Sequence, residues 1–308
     1  MSYALPQSGP IGEAGAAARG RRVRCLGRGG HHLLHYDEYG PADSAHAVVC
    51  VHGLTRNGRD FARLAQALAV EGWRVLCPDM AGRGRSEPLA TAADYGPPQY
   101  MADVTVMLAH AHVDSVDWIG TSMGGLIGMG LAATPGHPIR RMALNDVGPL
   151  VPKEALRRIA DYVGVPWRFA SFEEGLAHVR AAYAPFGLTA EEDWRELAEI
   201  SLKRDADGFY TNNYDLRIAE PFEGLAEQDL DIWGLWDALD LPAPPLLIRG
   251  AESDLLLAED AARMTERGPG ARLVEIPGVG HAPTLMTPDQ IDLLRDWLAE
   301  TPRPRVGA

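Results

Sequence analysis

The chain has 308 residues, 46% of them hydrophobic and 23% charged, enough for one large packed α/β domain carrying an insertion. A net charge of −13 repels nucleic acid and anionic membrane surfaces, and no run of about 18 apolar residues occurs, so neither a nucleic-acid binder nor a membrane-spanning protein is expected. Cys25, Cys50 and Cys77 cannot all pair and form no CxxC unit, which favours a reducing, cytoplasmic setting.

The first residues, Met1 to Arg24, are rich in Gly, Ala and Arg and have no continuous apolar stretch. That argues against a secretory signal and predicts a flexible arm over residues 1–20. Residues 21–28 and 31–39 suit an antiparallel hairpin turning at Gly29-Gly30. Beyond it, short β-branched runs alternate with helical patterns, the signature of a parallel sheet covered on both faces. Strands are expected at 47–51, 74–77, 116–119, 141–144, 246–249 and 272–276. Helices are expected at 60–72, 98–110, 123–133, 258–267 and 288–300. The alternation breaks over residues 149–240, which are mainly helical and far too long for a structureless loop. They are expected to form a helical cap inserted after the sixth strand, dividing a core domain of residues 21–148 and 241–300. A Pro/Arg-rich flexible tail, 301–308, closes the chain.

The strongest local signal is Gly120-Thr121-Ser122-Met123-Gly124-Gly125, after a predicted strand and before a predicted helix. This is the context that G-x-S-x-G requires: a strained turn lifts the serine hydroxyl clear of the sheet, and glycines relieve the crowding. The run has no P-loop lysine and does not fit G-x-G-x-x-G, so phosphate binding is set aside.

A serine hydroxyl needs a base within hydrogen-bond reach. His281, in Gly278-Val279-Gly280-His281-Ala282-Pro283, follows the last predicted strand and is the candidate. The imidazole in turn needs a carboxylate. Asp254 is the first choice, because it follows the strand at 246–249 and gives the chain order Ser122, Asp254, His281; Asp146 and Glu252 are the alternatives. The backbone N–H groups of Met123 and Leu54, the latter in His52-Gly53-Leu54-Thr55, are the expected oxyanion donors. His52 is expected to stabilise that loop. His31, His32 and His35 lack the HExxH glutamate and are placed on the surface, and His110 and His112 are assigned structural roles.

These motifs, with Asp79-Met80-Ala81-Gly82-Arg83-Gly84-Arg85-Ser86, resemble the α/β-hydrolase superfamily over roughly residues 25–298. The resemblance implies a mostly parallel eight-stranded sheet with helices on both faces and a helical cap. It also implies that Asp79, Arg83 and Ser86 tie backbone together. Within the superfamily the chain looks most like the capped esterases, cofactor-free haloperoxidases and meta-cleavage-product hydrolases; serine at the elbow argues against haloalkane dehalogenases and epoxide hydrolases.

The expected activity is hydrolysis of a small-molecule carboxylic ester through an acyl-enzyme, with no cofactor and no metal. One alternative is C–C bond hydrolysis of a carboxylated substrate held by Arg180 or Arg217. Another is a hydrolase-fold receptor with vestigial turnover. Trp167, Phe169, Tyr183, Phe186, Tyr210, Tyr214 and Trp233 are candidates for the pocket wall or for the core of the cap. Nothing in the sequence points to an oligomeric state.

Overall fold

The structure, a computed structural model, describes residues 17–222, 224 and 227–300. The expected hairpin is β1 (Arg19–Gly27) antiparallel to β2 (Gly30–Tyr39). The arm expected over residues 1–20 does not include Arg19 and Gly20, which pair with Glu38 and Asp37. Arg19 and Arg21 both reach the Glu38 carboxylate there. Residues 1–16 and the tail 301–308 lie outside the described residues.

β3 (His46–Val51), α1 (Ala62–Val70), β4 (Val75–Asp79), α2 (Pro97–His110), β5 (Ser115–Thr121), α3 (Met123–Ala132) and β6 (Ile139–Asn145) follow in the expected alternation. α1 starts later than predicted because Gly58–Phe61 forms a separate tight turn, capped by the Asn57 side chain accepting from the Arg59 N–H. The chain then leaves the sheet. It forms β7 (Leu150–Val151), α4 (Lys153–Tyr162), α5 (Phe172–Ala182), α6 (Glu191–Ser201), β8 (Leu202–Arg204), β9 (Tyr210–Asn212), β10 (Leu230–Asp231) and α7 (Trp233–Asp237). Much of this excursion packs on a nucleus of its own, including Trp167, Leu176, Val179, Trp194 and Leu197. β11 (Leu246–Gly250), α8 (Ala258–Glu266), β12 (Arg272–Ile276) and α9 (Pro288–Ala299) complete the chain.

The sheet has eight strands in the order β1-β2-β4-β3-β5-β6-β11-β12, antiparallel across β1-β2-β4 and parallel from β4 to β12. Side chains alternate across it, and both faces are apolar. Val49 and Val51 join Met107 of α2 and Ile127 of α3, while Val48 and Cys50 join Leu64 and Leu68 of α1 and Leu294 and Trp297 of α9. Burial on both faces explains why the central strands carry apolar residues at successive positions, as in Ala47–Val51 of β3, rather than only at every second one. At the N-terminal ends of three adjacent strands, Asp117 of β5 holds His46 of β3 and Arg141 of β6. Burial pushes the Asp117 carboxyl up, but its bonds to His46 and Arg141 outweigh that and hold it below its ordinary range.

Coverage of both faces also corrects the surface placement of two histidines. His32 is buried against Asp103 of α2 at 3.0 Å, and His35 is buried beside Asp37 at 3.3 Å, its N–H donating to Ser86 Oγ. α2 covers one face of β2 and the loop after β4 covers the other, so only His31 of the three is exposed. Among the described residues no helix is long and apolar enough to cross a membrane.

Candidate active site

Ser122 joins β5 to α3 with φ 51° and ψ −114°, a left-handed φ that costs a non-glycine residue on the order of 1–3 kcal/mol. The turn is held by close backbone approach. A Cβ on Gly120 would lie 2.5 Å from the Gly124 backbone, and one on Gly124 would lie 2.0 Å from the Val51 carbonyl oxygen. Only glycines let the first turn of α3 press onto β5 and β3. The Trp118 indole N–H donates to Gly124 O at 3.0 Å, and the Ser122 N–H donates to Asn145 O at 2.9 Å.

His281 arrives from the loop after β12. Its Nε2 lies 3.1 Å from Ser122 Oγ and its Nδ1 lies 2.7 Å from a carboxylate oxygen, Oδ2 of Asp146. The structure thus brings Ser122 and His281 together as expected. It places Asp254, the carboxylate expected beside the imidazole, elsewhere: its side chain is 53% exposed and takes a bidentate pair from Arg158 at 2.6 and 2.8 Å. Glu252 is exposed as well. The reason is strand order. β6 is the immediate neighbour of β5, about 4.8 Å away, whereas β11 lies one strand further out. Asp146 directly follows β6 at φ 56°, a conformation that Asp tolerates better than most residues. The sequence shows Asp146 only as a carboxylate at the end of a strand-like run, Leu144-Asn145-Asp146; that this strand adjoins β5 emerges from the sheet order.

The end of β11 and the loop after it hold the Asp146 carboxylate in place. The Gly250 N–H donates to Asp146 Oδ1 at 2.8 Å, and the Ser253 hydroxyl, not singled out from sequence, donates to Oδ2 at 2.6 Å. Asp146 is fully buried. A carboxylate only accepts, so the imidazole proton resides on Nδ1 and leaves Nε2 free to accept from Ser122. Asn145 adds a strut, its amide reaching Thr121 Oγ1 at 3.0 Å and Pro283 O at 2.8 Å.

The loop after β3 runs beside the serine: a Cβ on Gly53 would be 3.8 Å from Ser122 Cβ. His52 fixes it. Burial lowers this imidazole to about 3, so it is neutral, donating from Nδ1 to Gly53 O at 2.7 Å and accepting the Met80 N–H at Nε2. The Arg56 N–H also donates to Gly53 O. With that carbonyl taken, the trans peptide turns the Leu54 N–H the opposite way. The second expected donor, the Met123 N–H, is the first amide of α3, where helix amides are free and the dipole is positive.

Arg83 joins both sides. Its buried guanidinium donates to Leu54 O at 2.9 Å, Ala81 O at 2.7 Å and Tyr100 OH at 2.7 Å, and lies 3.8 Å from Met123 Sδ. The Tyr95 and Tyr100 rings flank it. Asp79 and Ser86 do tie backbone: Asp79 accepts from the N–H groups of Gly58 and Arg85, and the Ser86 hydroxyl donates to Asp79 O.

Ser122 and His281 open into a cleft of about 620 Å³, part of it continuous with solvent. Of the seven candidate aromatics, Tyr183 and Phe186 line it, joined by Ile159 and Tyr162 of α4. Trp167, Phe169 and Tyr210 pack within the excursion, and Tyr214 and Trp233 belong to the main core. Arg180 pairs with Glu191 and Arg217 with Asp215, and neither lines the cleft. Among the described residues one group of metal-capable side chains lies close together, Cys25, His32 and Asp103 at the β1–β2 edge. Burial, then Asp103, pushes the Cys25 thiol up to about 12, so it keeps its proton.

An eight-stranded, mostly parallel sheet bearing a serine on a strained strand-to-helix turn defines a class, and the sequence comparison agrees with it. The family model for the α/β hydrolase fold matches residues 46–285, and the chain belongs to that family of hydrolases. It is 47% identical over 277 residues to the 3-hydroxybutyrate-oligomer hydrolase of Cupriavidus necator, covering 87% of this chain and 94% of that protein. It is 27% identical over 269 residues to a pimeloyl-[acyl-carrier protein] methyl ester esterase of Xanthomonas campestris, covering 83% and 96%. Among solved structures, an α/β hydrolase from Novosphingobium aromaticivorans superposes with a TM-score of 0.82 at 38% identity, covering 92% of this chain and 99% of that one.

Proposed function

We propose that the chain is a carboxylic ester hydrolase that cleaves short 3-hydroxyacyl esters, 3-hydroxybutyrate oligomers in particular, through Ser122, His281 and Asp146. The observation that carries this is the continuous hydrogen-bonded path from Ser122 Oγ through His281 to Asp146, with links of 3.1 and 2.7 Å. The substrate class follows from the relative that is 47% identical over nearly the whole of both chains.

Asp146 holds the imidazole in the tautomer whose Nε2 accepts the Ser122 proton as the oxygen attacks the ester carbonyl. The oxyanion forms between the N–H groups of Met123 and Leu54, each such donor contributing about 3 kcal/mol to transition-state stabilisation. His281 then protonates the departing alcohol, activates a water to release the acyl group, and returns the proton to Ser122. The excursion acts as a cap, supplying Tyr162, Tyr183 and Phe186 as the apolar wall. Free, buried thiols at Cys25, Cys50 and Cys77 support a reducing, cytoplasmic setting.

The test is hydrolysis of p-nitrophenyl butyrate and of the 3-hydroxybutyrate dimer and trimer, with released 3-hydroxybutyrate measured by chromatography. Turnover of both ester types and a loss of about 10⁴-fold or more in kcat for Ser122→Ala are expected. Absence of turnover on every ester, or full activity in the variant, would overturn the reading.

A further inference from the structure

Resting on that ester-hydrolase reading, we propose that Arg158 is the specificity-determining group of the cleft, taking the free carboxylate end of the substrate, and that Asp254 occupies its place when no substrate is bound.

Among the described residues two guanidiniums line the cleft alongside Ser122, and no carboxylate does. Arg56 is already engaged: its buried side chain forms a bidentate pair with Asp60 at 2.9 and 2.7 Å and also donates to Ser201. Arg158 is differently placed. It projects from α4, one residue before Ile159 and four before Tyr162, so a planar cation adjoins the apolar wall those residues make. Its partner, Asp254, belongs to the core loop after β11, and the two side chains are 42% and 53% exposed. An ion pair this open contributes only about 0.2–1 kcal/mol, because water competes well for both groups. A carboxylate tethered to a bound ester has a high effective concentration at the same fork and presents the same bidentate geometry. Exchange of Asp254 for the substrate is therefore close to an even trade of hydrogen bonds.

The ligand this combination fits is an ester with a hydrocarbon body and one terminal carboxylate. A linear 3-hydroxyacid oligomer has that chemistry: alternating methyl-bearing carbons and esters, ending in one charged acid. An acyl ester lacking the acid fills the apolar wall and leaves the guanidinium with Asp254.

The experiment compares the 3-hydroxybutyrate dimer as free acid with its terminal methyl ester, in the wild type, Arg158→Gln, Arg158→Lys and Asp254→Asn. The wild type should favour the free acid by at least about 10-fold in kcat/KM, chiefly through KM. In Arg158→Gln that preference should fall to near unity, Arg158→Lys should restore part of it, and Asp254→Asn should keep or increase it by removing the competing carboxylate. If the pair is only a strut between excursion and core, Arg158→Gln and Asp254→Asn will alter both esters alike. That result overturns the proposal, as does a wild type indifferent to the terminal charge. If no ester turns over, the hydrolase reading fails separately, and calorimetric titration with 3-hydroxybutyrate decides: binding lost in Arg158→Gln supports the carboxylate site, and absence of binding to the wild type overturns it.

Discussion

Replacing Asp146 by Asn separates the carboxylate that lies against His281 from the one expected in the loop after β11. Asn keeps one carbonyl oxygen, which the Gly250 N–H claims at 2.8 Å, and puts an NH₂ where Oδ2 now faces Ser253 and His281. A donor at that position forces the imidazole proton onto Nε2, which then points a hydrogen rather than a lone pair at Ser122. It also removes the charge that steadies the imidazolium in the transition state. A pair of unit charges about 4 Å apart at an effective dielectric near 20 interacts by about 4 kcal/mol, or close to 10³-fold in rate. Adding the tautomer penalty brings the expected loss in kcat to about 10⁴-fold, with KM within about threefold. Asp254→Asn disrupts only an exposed pair, so kcat on p-nitrophenyl butyrate should stay within about threefold and stability within about 1 kcal/mol. Steady-state kinetics on both variants, with thermal unfolding by circular dichroism to verify folding, settles the comparison. A large loss in Asp254→Asn beside a near-normal Asp146→Asn would refute the assignment.

Three further outcomes are expected. His52 is buried with its pKa lowered to about 3 by desolvation, against about 6.5 when unfolded, so the unfolded chain takes up the proton first as pH falls. The stability His52 contributes is complete above pH 6.5 and declines below it, by about 2 kcal/mol down to pH 5; urea unfolding across that interval should give a shallower slope in His52→Gln, and an equal slope contradicts this. Gly124→Ala places a methyl against the Val51 carbonyl, so α3 must withdraw from β3. Stability should drop by about 1–3 kcal/mol and kcat by about 100-fold, because the Met123 N–H moves with the helix; unaltered kinetics would show that the contact relaxes elsewhere. Arg83→Met leaves Leu54 O and Ala81 O without their buried donor and should lower unfolding stability by about 3 kcal/mol and kcat by about tenfold, measured by urea titration and ester turnover.

The sheet was legible because its strands are continuous apolar runs separated by amphipathic helices, a pattern set by burial on both faces. Ser122 and His281 could be picked out because each sits in a glycine pattern, and around Ser122 backbone crowding demands it, as the contacts at Gly120 and Gly124 illustrate. The carboxylate beside His281 could not, since choosing between Asp146 and Asp254 depends on which strand lies next to β5, and that order is a property of the assembled sheet. The roles of Ser253 and Arg158 were hidden for the same reason, their partners being 107 and 96 residues away in the chain. The buried positions of His32 and His35 escaped notice because alternation along β2 suggests one wet face, and only tertiary packing reveals that both are covered.

Ser122 and Asp146 each extend the sheet by one further rung, the first donating its amide to Asn145 and the second donating its own to Ile248. Their separation is thus inherited from the spacing of neighbouring strands, which the ladder hydrogen bonds fix. Segments above the sheet can breathe, repack or accept insertions without stretching that interval. The imidazole is the one member of the trio carried on a loop clear of its strand, five residues past the end of β12, so slackness there would register first as a change in how often it docks.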